Sequence, residues 1–248
     1  MHCVDGYDAS TFGDRWAEVY DRWGWPEAPV DDTVGFLAER AGGGRVLELA
    51  IGTGRVALPL RERGLEVHGI DASEAMLARL RANPGGDAVP VELGDMADVA
   101  VEGTFSLVYL VFNTFFGLLT QEEQVRCFAN VAARLEEGGA FVLEAFVPDV
   151  TRFDRDQRVD AYELELDRAR FDLSRHDPVA QQVWTQHVVL DDDGFRLLPI
   201  ALRYAYPSEL DLMGRLAGLE LRERHGGWHG EPFTARSGQH VSVYGKPD

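Results

Sequence analysis

The chain has 248 residues, of which 45% are hydrophobic and 27% are charged, and its formal net charge is −18. This length and composition predict one sizeable α/β domain that carries an insertion. The acidic excess argues against a nucleic-acid partner, because phosphate backbones are bound by clustered Lys and Arg.

The remaining global features predict a cytoplasmic protein. Its 2 cysteines are too few for a disulfide framework. The chain begins without a basic segment followed by an apolar run, so we expect no signal peptide. No apolar stretch approaches the roughly 20 residues of a membrane helix, so we expect no membrane contact. The acidic excess itself indicates a solvated surface, with attraction of a cationic amine substrate as the alternative.

Residues 1–45 are predicted to form an N-terminal helical lid. Trp16, Tyr20 and Trp23 recur at helical spacing, which predicts an amphipathic helix packed on the core. A second helix is expected over residues 31–40, with an aspartate at its start as the N-cap.

Residues 46–150 are predicted to bind a nucleotide. The segment 46–49 is typical of a buried strand, and Gly52 and Gly54 then turn the chain tightly into a helix. Such a turn lets a ligand approach bare backbone at a helix N-terminus. Asp71 lies seventeen residues past Gly54, at the end of the next predicted strand, where a carboxylate can bind both ribose hydroxyls.

Two cofactor classes fit this turn. Gly52, Gly54 and Ala57 satisfy the dinucleotide pattern, so an NAD-binding Rossmann oxidoreductase is one hypothesis. Glu48 argues against it, because a carboxylate in the turn region would repel a pyrophosphate, whereas it suits an α-ammonium or a sulfonium. Asp95 ends the predicted third strand and is placed to accept a hydrogen bond from an adenine amine.

The rest of this half completes an α/β core. A fourth strand is predicted over residues 105–113 and a fifth over 140–146, with a helix over 125–135 between them. Ser73 is expected to cap the helix after the second strand. In that helix, Met76 packs either under an adenine or in the ordinary core.

Four features, taken in chain order, resemble those of the class I S-adenosylmethionine-dependent methyltransferases. They are the acidic strand with its Gly-rich turn, Asp71, the pair Asp95-Met96 and the strand that ends near Asn113. The resemblance covers nearly the whole chain, and one departure is Ala50, where the family usually has glycine. It implies a Rossmann-like α/β fold with a mixed seven-stranded sheet that ends in an antiparallel hairpin. It also implies S-adenosyl-L-methionine as the cofactor.

The resemblance further implies a set of cofactor contacts. Tyr20 and Asp21 look like a Tyr-Asp pair of this family, whose tyrosine lies over the methionyl end of the cofactor. The residues expected to bind the cofactor are Tyr20, Glu48, Ala50, Gly52, Gly54, Asp71, Ala72, Met76, Asp95, Met96 and Phe112.

Residues 151–207 change to β-type alternation. Segments at 159–173, 180–190 and 195–206, separated by turn residues, predict a three-stranded antiparallel meander inserted after the fifth strand. In this superfamily such an insertion is usually a cap over the substrate mouth, and a dimer surface is the alternative. A monomer and a homodimer are both compatible with the sequence.

Residues 208–248 are predicted to return to the core. Ser208 is expected to cap a helix, and the two final strands to follow at 219–224 and 239–244. The loop between these strands, residues 226–238, is long for a hairpin, and long loops on compact domains are often functional.

Two segments bear on the substrate. Residues 230–237 and 113–116 look like those of a natural-product N-methyltransferase that acts on a peptide α-amine, and the cap topology looks like that of aminosugar N-methyltransferases. The predicted activity is methyl transfer to a small-molecule or peptide nucleophile, with an amine favoured. An O-methyltransferase and a non-catalytic S-adenosylmethionine-binding module are alternatives, besides the oxidoreductase.

Methyl transfer from a sulfonium is an in-line displacement, so alignment of nucleophile, methyl and sulfur is the main task of the protein. A base contributes typically about 10²–10⁴-fold, and His229, Glu231 and Tyr7 are the candidates for it. The predicted substrate contacts are Asn113, Phe115 and Trp228. The histidines and carboxylates show no ligand spacing, so we expect no metal.

Overall fold

The structure is a computed structural model and describes residues 6–22, 30–192 and 194–247. Its α-helices are α1 Thr11–Trp16, α2 Val30–Ala41, α3 Ala57–Glu62, α4 Glu74–Ala82, α5 Gln121–Arg134 and α6 Pro207–Leu216. Its strands are β1 Val46–Leu49, β2 Val67–Asp71, β3 Val91–Leu93, β4 Phe105–Leu110, β5 Leu135–Phe146, β6 Gln157–Leu164, β7 Ala169–Asp177, β8 Gln182–Asp191, β9 Gly194–Arg203, β10 Glu220–His225 and β11 Gln239–Gly245. Short 3-10 turns lie at Tyr20–Arg22, Gly86–Ala88, Thr114–Gly117 and Val150–Arg152.

One sheet has seven strands in the order β10-β11-β5-β4-β1-β2-β3. Strands β1 to β5 pair in parallel, whereas β11 pairs antiparallel with both β5 and β10. The expected mixed seven-stranded sheet with a final antiparallel hairpin is therefore confirmed. The chain order reverses between β1 and β4, and open α/β sheets bind ligands at the carboxyl ends of the strands that flank such a point.

Helices cover both faces of this sheet. On one face, α5 and α6 pack on an apolar cluster around Phe128, and on the other face α2, α3 and α4 pack on a cluster around Leu60. Because side chains alternate along a strand, Leu47 points into the first cluster and Glu48 to the opposite face. In the described ranges, no helix is long and apolar enough to cross a membrane.

The N-terminal helix is shorter than its aromatic spacing predicts. Helix α1 ends at Trp16, and Tyr20 lies in a separate 3-10 turn. Trp23 lies outside the described residues. Trp16 is fully buried, and Tyr20 is partly buried and packs from its separate turn against the same small cluster. Helix α2 begins at Val30, so Asp31 lies inside the first turn and not at the N-cap. At that position its negative charge interacts favourably with the helix dipole.

Three later boundaries also differ from the expectation. Helix α5 begins already at Gln121, because Thr120 caps it in a capping box. Strand β5 begins at Leu135, so the Glu-Glu-Gly-Gly segment after α5 belongs to the strand. Helix α6 begins at Pro207, one residue before the expected cap Ser208, in keeping with the preference of proline for the first helical position.

Strands β6 to β9 form a second sheet, which is antiparallel and follows chain order. The prediction of three strands is wrong, because the segment 159–173 folds into two of them. The turn between β6 and β7 is closed by the Glu165 N–H, which donates to the Arg168 carbonyl at 2.8 Å. This turn contains neither glycine nor proline, so no residue of that kind marks it in the sequence.

Three segments reach the carboxyl edge of the seven-stranded sheet. The second sheet leaves the main sheet after Phe146, the last residue of β5. The loop 226–238 enters β11 at Gln239, which pairs with Phe146. The N-terminal segment also lies there, because α1 packs on α4 and on β9.

Candidate active site

The turn after β1 adopts a left-handed backbone. Ala50, Gly52 and Gly54 have φ angles of 54°, 57° and 84°, a region in which a side chain is strained. Ala50 adopts this angle at a cost in backbone strain. Glycine would avoid that strain, which is the physical reason that it is favoured at this position. A Cβ atom on Gly54 would lie 2.4 Å from a methyl carbon of Leu80, so the turn packs closely on α4.

Asp71 closes this turn from the end of β2. Its Oδ2 accepts from the Gly52 N–H at 2.8 Å and its Oδ1 from the Ser73 N–H at 2.9 Å. Burial raises the pKa of Asp71, although the two backbone N–H bonds oppose the shift. Ser73 caps α4 as predicted, because its hydroxyl accepts from the Met76 N–H at 3.2 Å.

Glu48 is buried in β1 and faces Tyr109 on β4. The Tyr109 hydroxyl donates to Glu48 Oε2 at 2.7 Å. Burial raises the pKa of Glu48 to about 8, the hydrogen bond from Tyr109 opposes the shift, and the charge of Asp71 adds to it. Burial and the charge of Glu48 also raise the pKa of Tyr109 well above its ordinary value. A carboxyl in this condition favours a cationic ligand.

A third buried carboxyl, Glu144 in β5, lies near the same edge. Its Oε2 accepts from the Phe112 N–H at 2.8 Å, and its Oε1 from the Trp228 Nε1–H at 2.9 Å. Burial raises the pKa of Glu144, while these two hydrogen bonds and the charge of Arg55 oppose the shift. Glu144 thereby fastens the end of β4 to the loop that follows β10.

The N-terminal segment lies directly against the Gly-rich turn. The Ser73 hydroxyl donates to Asp14 of α1 at 2.6 Å, and the Thr53 hydroxyl donates to Asp21 at 2.8 Å. The close approach depends on Gly13, because a Cβ atom there would lie only 2.3 Å from Ser73 Cβ. These contacts hold the segment over the start of α4.

Tyr20 lies among the charged groups of the site. Burial raises the pKa of its hydroxyl to about 12, the charge of Arg55 opposes the shift, and the charges of Glu48 and Asp71 add to it. The structure therefore brings Tyr20, Glu48, Asp71 and the Gly-rich turn close together.

Strand β4 ends at Leu110, earlier than predicted. Phe112 and Asn113 follow with left-handed φ angles of 58° and 63°. The Arg55 guanidinium lies over the Phe112 ring, 3.9 Å from its centroid. The Asn113 Oδ1 accepts from the Phe146 N–H, so this side chain joins the ends of β4 and β5.

Three of the residues predicted to contact the cofactor or the substrate pack in the hydrophobic clusters of the protein. Phe115 is fully buried, and its ring contacts Phe128 edge-on with centroids 5.4 Å apart. Met76 is buried in a small cluster with Trp16. Met96 is partly buried against the large cluster of the α5 face.

Two further predicted residues lie directly after strands. Ala72 follows β2 and stays partly exposed. Asp95 follows β3, and its Oδ1 accepts from the Ala97 N–H at 2.7 Å. Both positions are on the side of the sheet where β1 ends in the Gly-rich turn.

The loop 226–238 lies against α2. Trp228 is buried there, and the exposed His229 has its Nε2 atom 3.2 Å from Asp32 Oδ2 in α2. Glu231 Oε2 accepts from the His229 N–H at 3.0 Å. Within the described residues, no hydrogen bond or ion pair joins His229 or Glu231 to the Gly-rich turn.

Tyr7 lies on the second sheet. Its hydroxyl accepts from the Ala201 N–H at 3.2 Å, and its ring meets Trp184 edge-on with centroids 5.5 Å apart. Burial raises the pKa of Tyr7. A neutral phenol is a weak proton acceptor, so this environment argues against Tyr7 as a general base. It is compatible with Tyr7 as a residue that contacts the substrate.

Comparison with known proteins identifies the family. A family model for a methyltransferase domain matches residues 46–139. The cypemycin N-terminal methyltransferase of a Streptomyces species is 30% identical over 239 residues, which cover 95% of this chain and 98% of that protein. This chain belongs to the class I S-adenosylmethionine-dependent methyltransferases.

Solved structures agree with this assignment. The methyltransferase CcbJ from Streptomyces caelestis is 42% identical with a TM-score of 0.91, and the match covers 98% of this chain and all of the other, 100%. CalS10, an amino pentose methyltransferase from Micromonospora echinaspora solved with S-adenosylmethionine bound, is 25% identical with a TM-score of 0.68, covering 98% and 99% of the two chains. The cofactor of this methyltransferase is S-adenosylmethionine, and the hypothesis of an NAD-dependent oxidoreductase is wrong.

The buried carboxyls fit this cofactor chemically. S-adenosylmethionine carries an ammonium and a sulfonium, and both Glu48 and Asp71 have raised pKa values because burial disfavours their charged forms. A cation beside Glu48 favours its ionised carboxylate and lowers its pKa again, and hydrogen bonds from ribose hydroxyls do the same for Asp71. The residues best placed to hold the cofactor are these two carboxyls, the Gly52–Gly54 turn and Tyr20.

Sequence reasoning missed several polar groups of the site. Glu144 and Tyr109 carried a signal, since each is a polar side chain inside an apolar strand. Asp14 and Thr53 carried none. Their hydrogen bonds join positions 59 and 32 residues apart, and no local pattern encodes such pairs.

Proposed function

We propose that this methyltransferase transfers the methyl group to an amine nitrogen of a small molecule or a peptide. The observation that supports the proposal most is the 30% identity, across 95% of the chain, with a protein named for N-terminal methylation. A second relative, named as an amino pentose methyltransferase, is 25% identical over 98% of the chain. Both names describe acceptors that carry an amine.

The electrostatics of the site support an amine acceptor. Three carboxyls, Glu48, Asp71 and Glu144, lie near one edge of the sheet, where a nearby cation favours their ionised forms. The chain as a whole carries a net charge of −18. Such a field attracts a protonated amine from solution. Transfer of that amine into a drier pocket lowers its pKa and yields the neutral form that attacks a methyl group.

The roles proposed for individual side chains follow from their places. When bound, the cofactor supplies a methyl group on a sulfonium, which the amine lone pair takes as the C–S bond breaks and a neutral thioether leaves. Glu48 and Asp71 hold the charged and ribose parts, the Gly52–Gly54 turn admits the ligand to the backbone, and Tyr20 covers it. Alignment by these groups is the main catalytic contribution.

The proton that the new ammonium loses goes to water or to a side chain. Among the three predicted candidates, only the His229 imidazole has a carboxylate beside it, Asp32 Oδ2 at 3.2 Å, which can orient the ring. The Glu231 carboxylate already accepts a hydrogen bond from the His229 N–H, and the Tyr7 hydroxyl already accepts one from the Ala201 N–H. We therefore propose His229 first as the proton acceptor, with Glu231 and Tyr7 as substrate contacts.

We further propose that the protein acts in the cytoplasm and has no nucleic-acid partner. The net charge of −18 supports the second point, because a strongly acidic chain repels a phosphate backbone.

Matched acceptors test the proposed amine specificity. Each pair contains one amine and one hydroxyl analogue of the same scaffold: a free α-amine peptide with its α-hydroxy counterpart, and an aminosugar with its parent sugar. Incubation with methyl-labelled S-adenosylmethionine should add label to the amine member only, as read by mass spectrometry. Transfer only to the hydroxyl members would replace the proposal with O-methylation. Cofactor binding without transfer to any acceptor would support a non-catalytic module.

A further inference from the structure

Glu144 lies between two segments of the site that are far apart in the chain. Its side chain is 7% exposed and accepts two hydrogen bonds. One comes from the Phe112 backbone N–H at 2.8 Å, just after β4, and the other from the Trp228 indole Nε1–H at 2.9 Å, in the loop 226–238. The carboxyl group therefore holds the end of a central strand and the loop at the same time.

Arg55 connects this carboxyl group to the Gly-rich turn. It directly follows Gly54, and its guanidinium lies 3.9 Å from the centroid of the Phe112 ring. Its positive charge acts on Glu144 and also on Tyr20. Phe112 has a left-handed φ of 58°, which a non-glycine residue keeps only where its surroundings hold it. The hydrogen bond to its N–H and the guanidinium on its ring provide that support.

On the other side of Glu144, the indole of Trp228 anchors the loop. The ring is buried and meets Phe36 of α2 edge-on, with centroids 5.3 Å apart. The Gly226 N–H donates to the Glu231 carbonyl at 2.6 Å, so residues 226–231 form a compact turn. His229 lies in that turn, directly after Trp228. A carboxylate that fixes the indole therefore restrains the position of the imidazole as well.

A buried carboxylate is a costly residue for a purely structural link. Its desolvation costs several kcal/mol, and a well-packed apolar residue often stabilises a fold as well or better. Burial raises the pKa of Glu144, and the two hydrogen bonds and the charge of Arg55 oppose that shift. Both hydrogen-bond partners are N–H donors, so the ionised form satisfies them with one oxygen each. Carboxyl groups held in this way are concentrated at functional sites.

We propose that Glu144 is a positioning residue that couples the loop 226–238 to the occupied cofactor site through Phe112 and Trp228. This inference deepens the proposed function and rests on it, because the loop is proposed to contact the acceptor amine. Cofactor bound at the Gly-rich turn restrains Arg55 and Phe112, and Glu144 transmits that restraint to the loop. The acceptor contacts are then fixed when the methyl donor is in place, and a misplacement of about 1 Å in such an alignment costs on the order of 100-fold in rate.

Amide hydrogen exchange of the loop 226–238 tests the coupling without an acceptor. In the wild type, saturating S-adenosylhomocysteine should slow exchange across the loop by at least about 10-fold. In Glu144→Gln the slowing should fall below about 2-fold, because the amide presents one acceptor oxygen to two N–H donors. Glu122→Gln, the same substitution at an exposed position of α5, is the matched control and should keep the wild-type slowing.

Trp228→Phe tests the same link from the loop. It removes the Nε1–H donor and keeps an aromatic ring against Phe36, so the slowing should be lost in this variant too. If Glu144→Gln fails to fold, this variant alone decides the test. Calorimetry should show that Trp228→Phe binds S-adenosylhomocysteine within about 3-fold of the wild-type affinity, because the cut lies on the loop side of the carboxyl group.

Steady-state kinetics separate positioning from folding. With an amine acceptor that the wild type methylates, each variant should lose about 10–100-fold in kcat per folded protein, while KM for S-adenosylmethionine changes by less than about 3-fold. The proposal is overturned by a wild-type loop that does not respond to S-adenosylhomocysteine, by slowing that persists in either folded variant, or by an unchanged kcat. A wild type that methylates no amine would refute the proposed function, and the exchange experiment would still decide the coupling.

Discussion

At the scale of single residues, Glu48 has the largest influence on the chemistry of the site. It is buried, and its polar contacts in the described residues are the Tyr109 hydroxyl and the Ala57 backbone. An ionised carboxylate buried without a cation costs several kcal/mol, so the group takes up a proton instead. With a pKa of about 8, Glu48 is therefore mostly protonated at neutral pH until a cation binds beside it.

Glu48→Gln is expected to gain stability relative to the wild type as pH rises. In the unfolded chain the carboxyl ionises near its ordinary pKa of 4.5, and in the folded protein near 8. Wild-type stability therefore falls between these two values, and the loss is complete above the higher one. An amide does not titrate, so the variant does not lose this stability. Over this pH range, its free energy of unfolding should rise relative to that of the wild type by on the order of 2–4 kcal/mol. Urea unfolding of the ligand-free protein at several pH values measures this shift.

Glu39→Gln, the same substitution at an exposed position of α2, is the matched control. If the wild type and Glu48→Gln lost stability in parallel from acidic to alkaline pH, Glu48 would have to be ionised in the folded protein, against this interpretation.

Asp71→Ala is expected to weaken S-adenosylmethionine binding by about 5–150-fold. The substitution leaves the ribose hydroxyls without an acceptor, which costs about 1–3 kcal/mol. It also releases the Gly52 and Ser73 N–H groups that the carboxylate holds. Asp71→Asn keeps one carbonyl acceptor and should lose less. Calorimetry measures both affinities, and an unchanged affinity in a folded Asp71→Ala protein would remove Asp71 from the cofactor site.

At the scale of elements, the N-terminal helix and the Gly-rich turn depend on each other. Helix α1 has only six residues, too few to be stable alone. Its contacts with Ser73 and, through the Trp16 indole, with the Pro199 carbonyl at 3.1 Å hold it between α4 and the second sheet. The helix therefore forms because its surroundings fix it.

Gly13→Val should separate α1 from α4 and weaken cofactor binding by roughly 10-fold or more, the scale of losing contacts worth about 1.4 kcal/mol. The cause is steric, since a Cβ atom at this position meets Ser73 Cβ at 2.3 Å. Faster proteolysis of the segment before α2 and a higher dissociation constant for S-adenosylmethionine would be observed. The exposed Ala9→Val is the control. Equal affinity in the two variants would mean that α1 takes no part in holding the cofactor.

The elements that the sequence predicts well have a local cause. Apolar runs mark β1, β2 and β5, and a serine at position 73 marks the start of α4. The β6–β7 turn was missed because four residues without glycine or proline form it. The N-terminal helix was predicted too long because aromatic spacing does not distinguish one helix from a helix followed by a 3-10 turn.

At the scale of the whole molecule, the order in which the turn and the acidic residues follow the strands was predictable from the sequence. The contacts that distant segments make with them were not. A Gly-rich turn with acids after successive strands specifies a nucleotide site, whichever side chains surround it. Which distant segments cover that site depends on tertiary packing. The Asp14, Asp21 and Glu144 contacts illustrate this, because each joins segments far apart in the chain.

The most direct test of the site is a crystal structure with S-adenosylhomocysteine, the demethylated product. The ribose hydroxyls should lie within hydrogen-bond distance of Asp71, the adenine beside Asp95, and the amino-acid end near Glu48 under Tyr20. A ribose bound away from Asp71, or a ligand seated in the loop 226–238 instead of at the Gly52–Gly54 turn, would contradict the assignment.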